Sequence, residues 1–283
     1  MSCSIIRNST SQVIEGVFAE NGKSSKLYKE LVEKTGDAET ALDKWTLAYV
    51  PEFIDNYKGE RDENGEPTAE EILKAEPEGV EMQVEVLKKL LNQTVRKTDK
   101  GYVEIETDTV VANRVTDLVQ KYRDEIGAYS SSDTTAADIG TTVHLLVEQM
   151  FKHYTGVQKM SHKDMLDIVE KSLVASGIET KWIKSLDNKI LLNLDKGVEA
   201  LYKDILKAQD SIDPGKKPVI LTEHMIHDKF KNLAGTIDAL IVYSNGQVGM
   251  LDFKTMYVSK GNLDDGVDVV RSTKITEWNI QQS

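Results

Sequence analysis

Cysteine is almost missing from this sequence. The 283-residue chain has one, Cys3. That excludes a disulfide scaffold, a Cys-rich zinc site and a four-cysteine iron–sulfur cluster. It also makes a reducing cytoplasm the expected compartment. Long apolar runs are missing as well. None approaches the roughly 20 residues of a membrane span, and the apolar stretch in Met1–Thr10 is too short for a secretory signal. No membrane partner is expected. Basic residues are scarce: 35 against 47 acidic ones, a net charge of −12. Phosphate affinity comes largely from Lys and Arg, so the composition argues mildly against nucleic acid. The deficit is uneven. Residues 1–125 hold 17 basic and 26 acidic side chains, and 126–283 hold 18 and 21. A local basic groove in the second half is compatible with that balance. At 40% hydrophobic and 29% charged, the chain otherwise has the composition of a globular protein with a real core.

The first half reads as helical. Ser25–Glu33, Ala38–Tyr57 and Val80–Leu91 carry apolar residues at helical spacing. Lys58–Gly79 reads as an acidic loop with a short helix near Ala69–Lys74. Gly101–Val111 predicts a strand or hairpin arm, and Ala112–Tyr129 a further helix. The polar run Ser130–Thr135 marks a break. It divides a mainly helical region, 1–130, from a second region, 131–283. After it, Val143, Leu146, Val147, Met150 and Tyr154 form an apolar helical stripe. Helices near 164–175 and 180–208 follow. Beyond Pro214–Pro218 the pattern turns to strands: Val219–His227, Thr236–Tyr243 and Gln247–Thr255. Asn245-Gly246 is a strong hairpin signal between the last two. Helices followed by a meander predict a mixed α/β core.

The chemistry concentrates in Gly235-Thr-Ile-Asp238 and Leu251-Asp252-Phe253-Lys254-Thr255. Two carboxylates lie on adjacent expected strands, and Asp252 and Lys254 share a strand face. Carboxylates suit hard cations such as Mg²⁺ or Mn²⁺, and a lysine beside them can orient a water and balance phosphoryl charge. Register decides whether the set converges. A strict two-residue turn pairs Ser244 with Gln247 and puts Asp238 and Asp252 on opposite faces. One extra loop residue, pairing 244 with 248, puts Asp238, Asp252 and Lys254 on one face. Metal-assisted hydrolysis needs the second arrangement.

These residues resemble the PD-(D/E)XK nuclease superfamily, and more closely its RecB-type exonuclease branch. Gly140-Thr-Thr-Val-His144 matches that branch's helix pattern, with Glu148 one turn on. Glu223 in Leu221-Thr-Glu-His224 matches its first-strand glutamate, Gly235-x-x-Asp238 its Gly-x-x-Asp, and Asp252-x-Lys254 its Asp-x-Lys. The resemblance spans about 140–283. It implies a restriction-endonuclease-like core, a small mixed sheet flanked by helices, with 157–215 as a helical insertion and an N-terminal helical region ahead of it. It implies that His144, Asp238 and Asp252, with the Phe253 carbonyl, hold Mg²⁺ or Mn²⁺. Lys254 becomes the catalytic lysine, Glu223 an accessory catalytic group or second-metal ligand, and Gln281 or Gln282 a contact to DNA or to the surroundings of the attacking water. DNA is the implied substrate. The branch's closing Gln-x-x-x-Tyr lacks its tyrosine here, since Trp278-Asn-Ile-Gln281-Gln282-Ser283 ends the chain. That implies a piece of a longer polypeptide, of phage or recombination type.

Blander readings stand beside these. Asp252 and Lys254 also fit a surface ion pair, worth little, although a lone carboxylate in so apolar a strand is costly. His144 beside an apolar stripe also fits a structural histidine, and Glu148 a partner for it at i+4. Glu223 also fits a strand-face charge. His224 and His227, three apart on a strand, point to opposite faces and do not chelate together. Gly16–Ser24 has one residue too many between its glycines for a phosphate-binding loop. Two further functions fit the same residues: a catalytically silent nucleic-acid-binding or structural module of a larger assembly, and a hydrolase of small phosphoesters.

Overall fold

The structure is a computed structural model that describes residues 26–50, 68–98, 101–118, 121, 135–155, 159–180, 183 and 188–253. Seven helices of these residues carry the argument: α1 (Lys26–Thr35), α2 (Ala38–Leu47), α3 (Ala69–Lys74), α4 (Glu81–Leu91), α5 (Thr135–Tyr154), α6 (His162–Ala175) and α7 (Asn188–Ile212). The strands are β1 (Val95–Thr98), β2 (Gly101–Glu104), β3 (Asn113–Arg114), β4 (Val219–Asp228), β5 (Leu233–Val242) and β6 (Val248–Leu251). Local chemistry accounts for several starts. Asp37 caps α2 by accepting from the Glu39 and Thr40 amides. Ser161 and Asp164 form a reciprocal capping box on α6.

The fold is mixed α/β, with a small mixed sheet flanked by helices. β5 is central. It pairs antiparallel with β4 along its length and antiparallel with β6 at its C-terminal end. At its N-terminal end it pairs parallel with β3. β1 and β2 form a separate hairpin. One face of the sheet, through Val219, Leu221, Leu240 and Val242, packs with α1–α4 around the buried Trp45. The other, through Ile220, Ala239 and Ile241, packs with α5–α7. In α5, Leu146, Val147, Met150 and Phe151 are at most 3% exposed. At about 1.5–3 kcal/mol for each buried side chain, that stripe is what seats α5 on the sheet. Elements from both sides of residue 130 thus share cores across one sheet. Gln83 reinforces the join, with its Nε2 donating to the Val242 and Lys217 carbonyls.

Several elements differ from the sequence expectation. β1 was not expected, because Val95-Arg-Lys-Thr98 buries only Val95 and shows no apolar alternation. Residues 113–114 are a short exposed strand, not the start of a helix, and helix begins at 115. That strand is held by backbone pairing to Leu233 and Ala234, which no side-chain pattern reports. α7 runs from Asn188 to Ile212, later than the 180–208 expected.

Gly235 shows what one motif glycine does. A Cβ there would sit 2.9 Å from Val115 Cγ2 and 3.3 Å from Val115 Cβ. The chain after β3 therefore packs against bare backbone. Val115 is β-branched and has little rotamer freedom with which to yield. Gly235→Ala is expected to cost about 1–3 kcal/mol, read as a fall in unfolding midpoint, and Val115→Ala in the same chain is expected to recover most of it. An unchanged midpoint in Gly235→Ala alone would refute the close approach.

Candidate metal centre

The site lies where α5 crosses β4 and β5. Its frame is set by register. β5 and β6 pair Ala239 with Leu251 and Val242 with Val248, and Tyr243 N–H donates to the Gln247 carbonyl. The loop is therefore Ser244-Asn245-Gly246, with Gly246 at φ 80°. Glycine takes that left-handed conformation without a Cβ penalty. The extra loop residue is present, but it pairs 243 with 247, not 244 with 248. The ladder closes at Ala239 and Leu251, and Asp252 follows it outside the strand.

On the other side of β5, Thr222 pairs with Ala239 and His224 with Ile237, so Glu223 and Asp238 face each other at an unpaired step between. Glu223 has φ 49°. A left-handed conformation at a non-glycine residue costs of order 1–3 kcal/mol and persists only where its surroundings enforce it. Its consequence is a break in the two-residue alternation. Ile237 packs on the α1–α4 side, while Ala239, two residues on, packs on the α5 side. The kink frees Glu223 and Asp238 from the alternation and lets both meet α5.

There they meet His144. His144 Nδ1 lies 3.4 Å from Asp238 Oδ1, with both side chains mostly buried. Single ligand atoms of His144, Glu223 and Asp238 all fall within 4.8 Å of one another. Phe253, leaving β6, bridges two of them: its N–H donates to Asp238 Oδ2 at 2.5 Å, and its carbonyl accepts from the His144 ring. The Phe253 ring packs against Phe151 and edge-on to His144. An imidazole, two carboxylates and a backbone carbonyl form a nitrogen- and oxygen-rich donor set of the kind that suits Mg²⁺ or Mn²⁺. Asp252, exposed after the end of β6, is not one of the converged trio. Lys254, Gln281 and Gln282 lie outside the described residues.

The electrostatics are those of crowded carboxylates in a partly dry site. Glu223 is pushed up to about 7, first by burial, then by the Glu148 and Asp238 charges, with Lys97 and His144 opposing. His144 is raised, chiefly by its hydrogen bond to Asp238, with burial opposing and the Asp238 and Glu223 charges adding. Glu148 forms its buried ion pair with Lys152, one turn further along α5. Sequence reading missed Lys152 and Lys97. The i+4 ladder 144, 148, 152 was a usable signal for Lys152. Lys97 lies on β1, the arm of the hairpin that carried no strand signal.

The other histidines stand apart from the trio. His224 is buried and lowered to about 4 by burial. It accepts at Nδ1 from Gln93 and donates to the Leu90 carbonyl. His227 Nδ1 meets Thr94. His153 and His162 have partners that the sequence did not reveal: the Met160 amide donates to His153 Nδ1, and His162 Nε2 lies 2.9 Å from Asp195 Oδ2. Trp45 is in the core, and Gly16–Ser24, Trp182 and Trp278 lie outside the described residues. Among the described residues no helix is long and apolar enough to cross a membrane. Comparison with known protein families, with curated proteins and with solved structures finds no match.

Proposed function

We propose that the chain is a divalent-metal-dependent nuclease of PD-(D/E)XK type, hydrolysing DNA phosphodiester bonds as a RecB-type exonuclease. The observation that carries this reading is the convergence of His144, Glu223 and Asp238 beside the Phe253 carbonyl, at a kink in the sheet. In this reading His144, Asp238, Asp252 and the Phe253 carbonyl hold Mg²⁺ or Mn²⁺. Such a cation supplies Lewis acidity at the phosphoryl group and a more acidic water. The chain's own residues do the rest. Glu223, with a carboxyl near neutrality, is matched to accepting a proton from the attacking water. Lys254, two residues beyond Asp252, orients that water and balances phosphoryl charge. The α5 face, with Phe151 and Phe253, keeps one side of the centre apolar.

The test is end-labelled linear DNA incubated with the chain and Mg²⁺ or Mn²⁺. Shortening from an end is expected. It should fall roughly a hundredfold or more in Asp252→Ala and in Lys254→Ala. A folded chain that leaves DNA intact with either metal would refute the nuclease and favour a silent binding module.

A further inference from the structure

The β4–β5 connection, Asp228-Lys229-Phe230-Lys231-Asn232, carries a feature that the metal centre does not use. Phe230 is fully exposed, and exposed lysines flank it on both sides. A wholly solvated phenylalanine contributes no packing to the fold. The turn that presents it is nonetheless built. Asp228 Oδ1 accepts from the Phe230 and Lys231 amides. Asn232, at φ 47°, is held by the 112–113 segment: the Ala112 amide donates to its Oδ1 and the Asn113 amide to its carbonyl. The Asp228 carboxylate is thereby tied to backbone through Oδ1, and Lys229 Nζ lies 3.8 Å from Glu106 Oε2 on an exposed turn. In a chain of net charge −12, this tip sets an exposed aromatic face between two exposed ammonium groups. Its two strands are those that carry Glu223 and Asp238. Five residues of strand separate Asp238 from the end of β5, about 17 Å, or roughly five nucleotides of a stacked strand.

We propose that the Lys229–Phe230–Lys231 tip is a docking point for single-stranded DNA, with Phe230 stacking on an unpaired base and the two lysines flanking its phosphates. The inference rests on the nuclease reading for its choice of partner. Base–aromatic stacking tolerates any sequence, and lysines follow the backbone without reading it, which suits an enzyme that degrades DNA indiscriminately.

The experiment measures binding of the full chain to a labelled oligothymidylate by fluorescence anisotropy, with Ca²⁺ replacing Mg²⁺. Phe230→Ala is expected to weaken binding by roughly tenfold with an unchanged unfolding midpoint. Phe230→Trp is expected to keep the affinity and to show indole quenching on binding. Lys229→Gln combined with Lys231→Gln should reduce the slope of log affinity against log salt by about 1.4. Equal affinity of Phe230→Ala and the parent chain overturns the docking point, and it leaves the nuclease standing if the parent cleaves DNA. Binding that depends on Phe230 without any cleavage supports the docking point and removes the nuclease. No binding of the oligothymidylate by the parent overturns the docking point, and cleavage of end-labelled linear DNA then decides the nuclease by itself. Phosphatidylserine vesicles sedimented with the chain give the last outcome: vesicle binding lost in Phe230→Ala, with DNA binding unchanged, overturns the proposal in favour of a membrane contact.

Discussion

Asp238→Asn should abolish the response of this protein to Mn²⁺ while leaving it folded. A ligand that binds only the native state, at a hundred times its dissociation constant, stabilises by about 2.7 kcal/mol. In a chain of this size that raises the unfolding midpoint by roughly 5–10 °C. Asp238 is the member of the trio on which the others depend. One oxygen faces His144 and the other accepts from the Phe253 amide. Asparagine keeps an acceptor for that amide, so the link between β5 and the end of β6 survives. It removes the charge a cation needs, along with the main cause of the raised His144 pKa. Thermal unfolding with and without Mn²⁺ checks this. Asp195→Asn is the control: Asp195 also pairs with a histidine, His162, and with the Tyr154 hydroxyl, but it lies outside the converged trio. That variant should lose some stability and retain the full metal response. An undiminished Mn²⁺ shift in Asp238→Asn would place the cation elsewhere.

The parts of this site differ in how far the sequence announces them. The α5 stripe, the strands β4 and β5, and the Asn245-Gly246 turn follow from apolar periodicity and turn chemistry, because each is a local pattern of side chains. Asp238 and His144 stand out because polar groups in apolar elements demand partners. The kink at Glu223 is not legible, since a left-handed glutamate between Thr222 and His224 leaves no trace in composition. Strict alternation would have put Glu223 on the face toward α1–α4, away from His144. The Glu148–Lys152 pair was only half legible, because the i+4 rule offers Glu148 both His144 and Lys152 and only tertiary packing selects between them. β1 and β3 are backbone events. They bury little, and their sequences carry no period to find.

That same kink gives the second large effect. Glu223→Gln should stabilise the metal-free protein above pH 7 and do little near pH 4.5. The Glu223 carboxyl is raised to about 7 from an ordinary value of 4.5. Between those values the native chain holds a proton that the unfolded chain has released. Stability supplied by the protonated form is therefore complete below 4.5 and is lost as pH rises through 7. Above 7 the native state carries a buried carboxylate facing Glu148 and Asp238. A shift of this size corresponds to at most about 3 kcal/mol, and residual solvent access reduces it to about 1–3 kcal/mol. Glutamine keeps the shape and the left-handed strain but cannot ionise, so the variant should unfold roughly 3–8 °C above the parent at pH 8 and within a degree or so of it at pH 4.5. The effect should reverse when Mn²⁺ is added, because a cation beside His144 and Asp238 would offset the Glu223 charge that destabilises the metal-free protein. Midpoints for both chains across pH 4.5–8.5, with Mn²⁺ and with chelator, decide the matter. A gap that does not change with pH would mean that Glu223 does not titrate in this window. A gap that changes with pH but ignores Mn²⁺ would make Glu223 a buried acid with no part in holding metal.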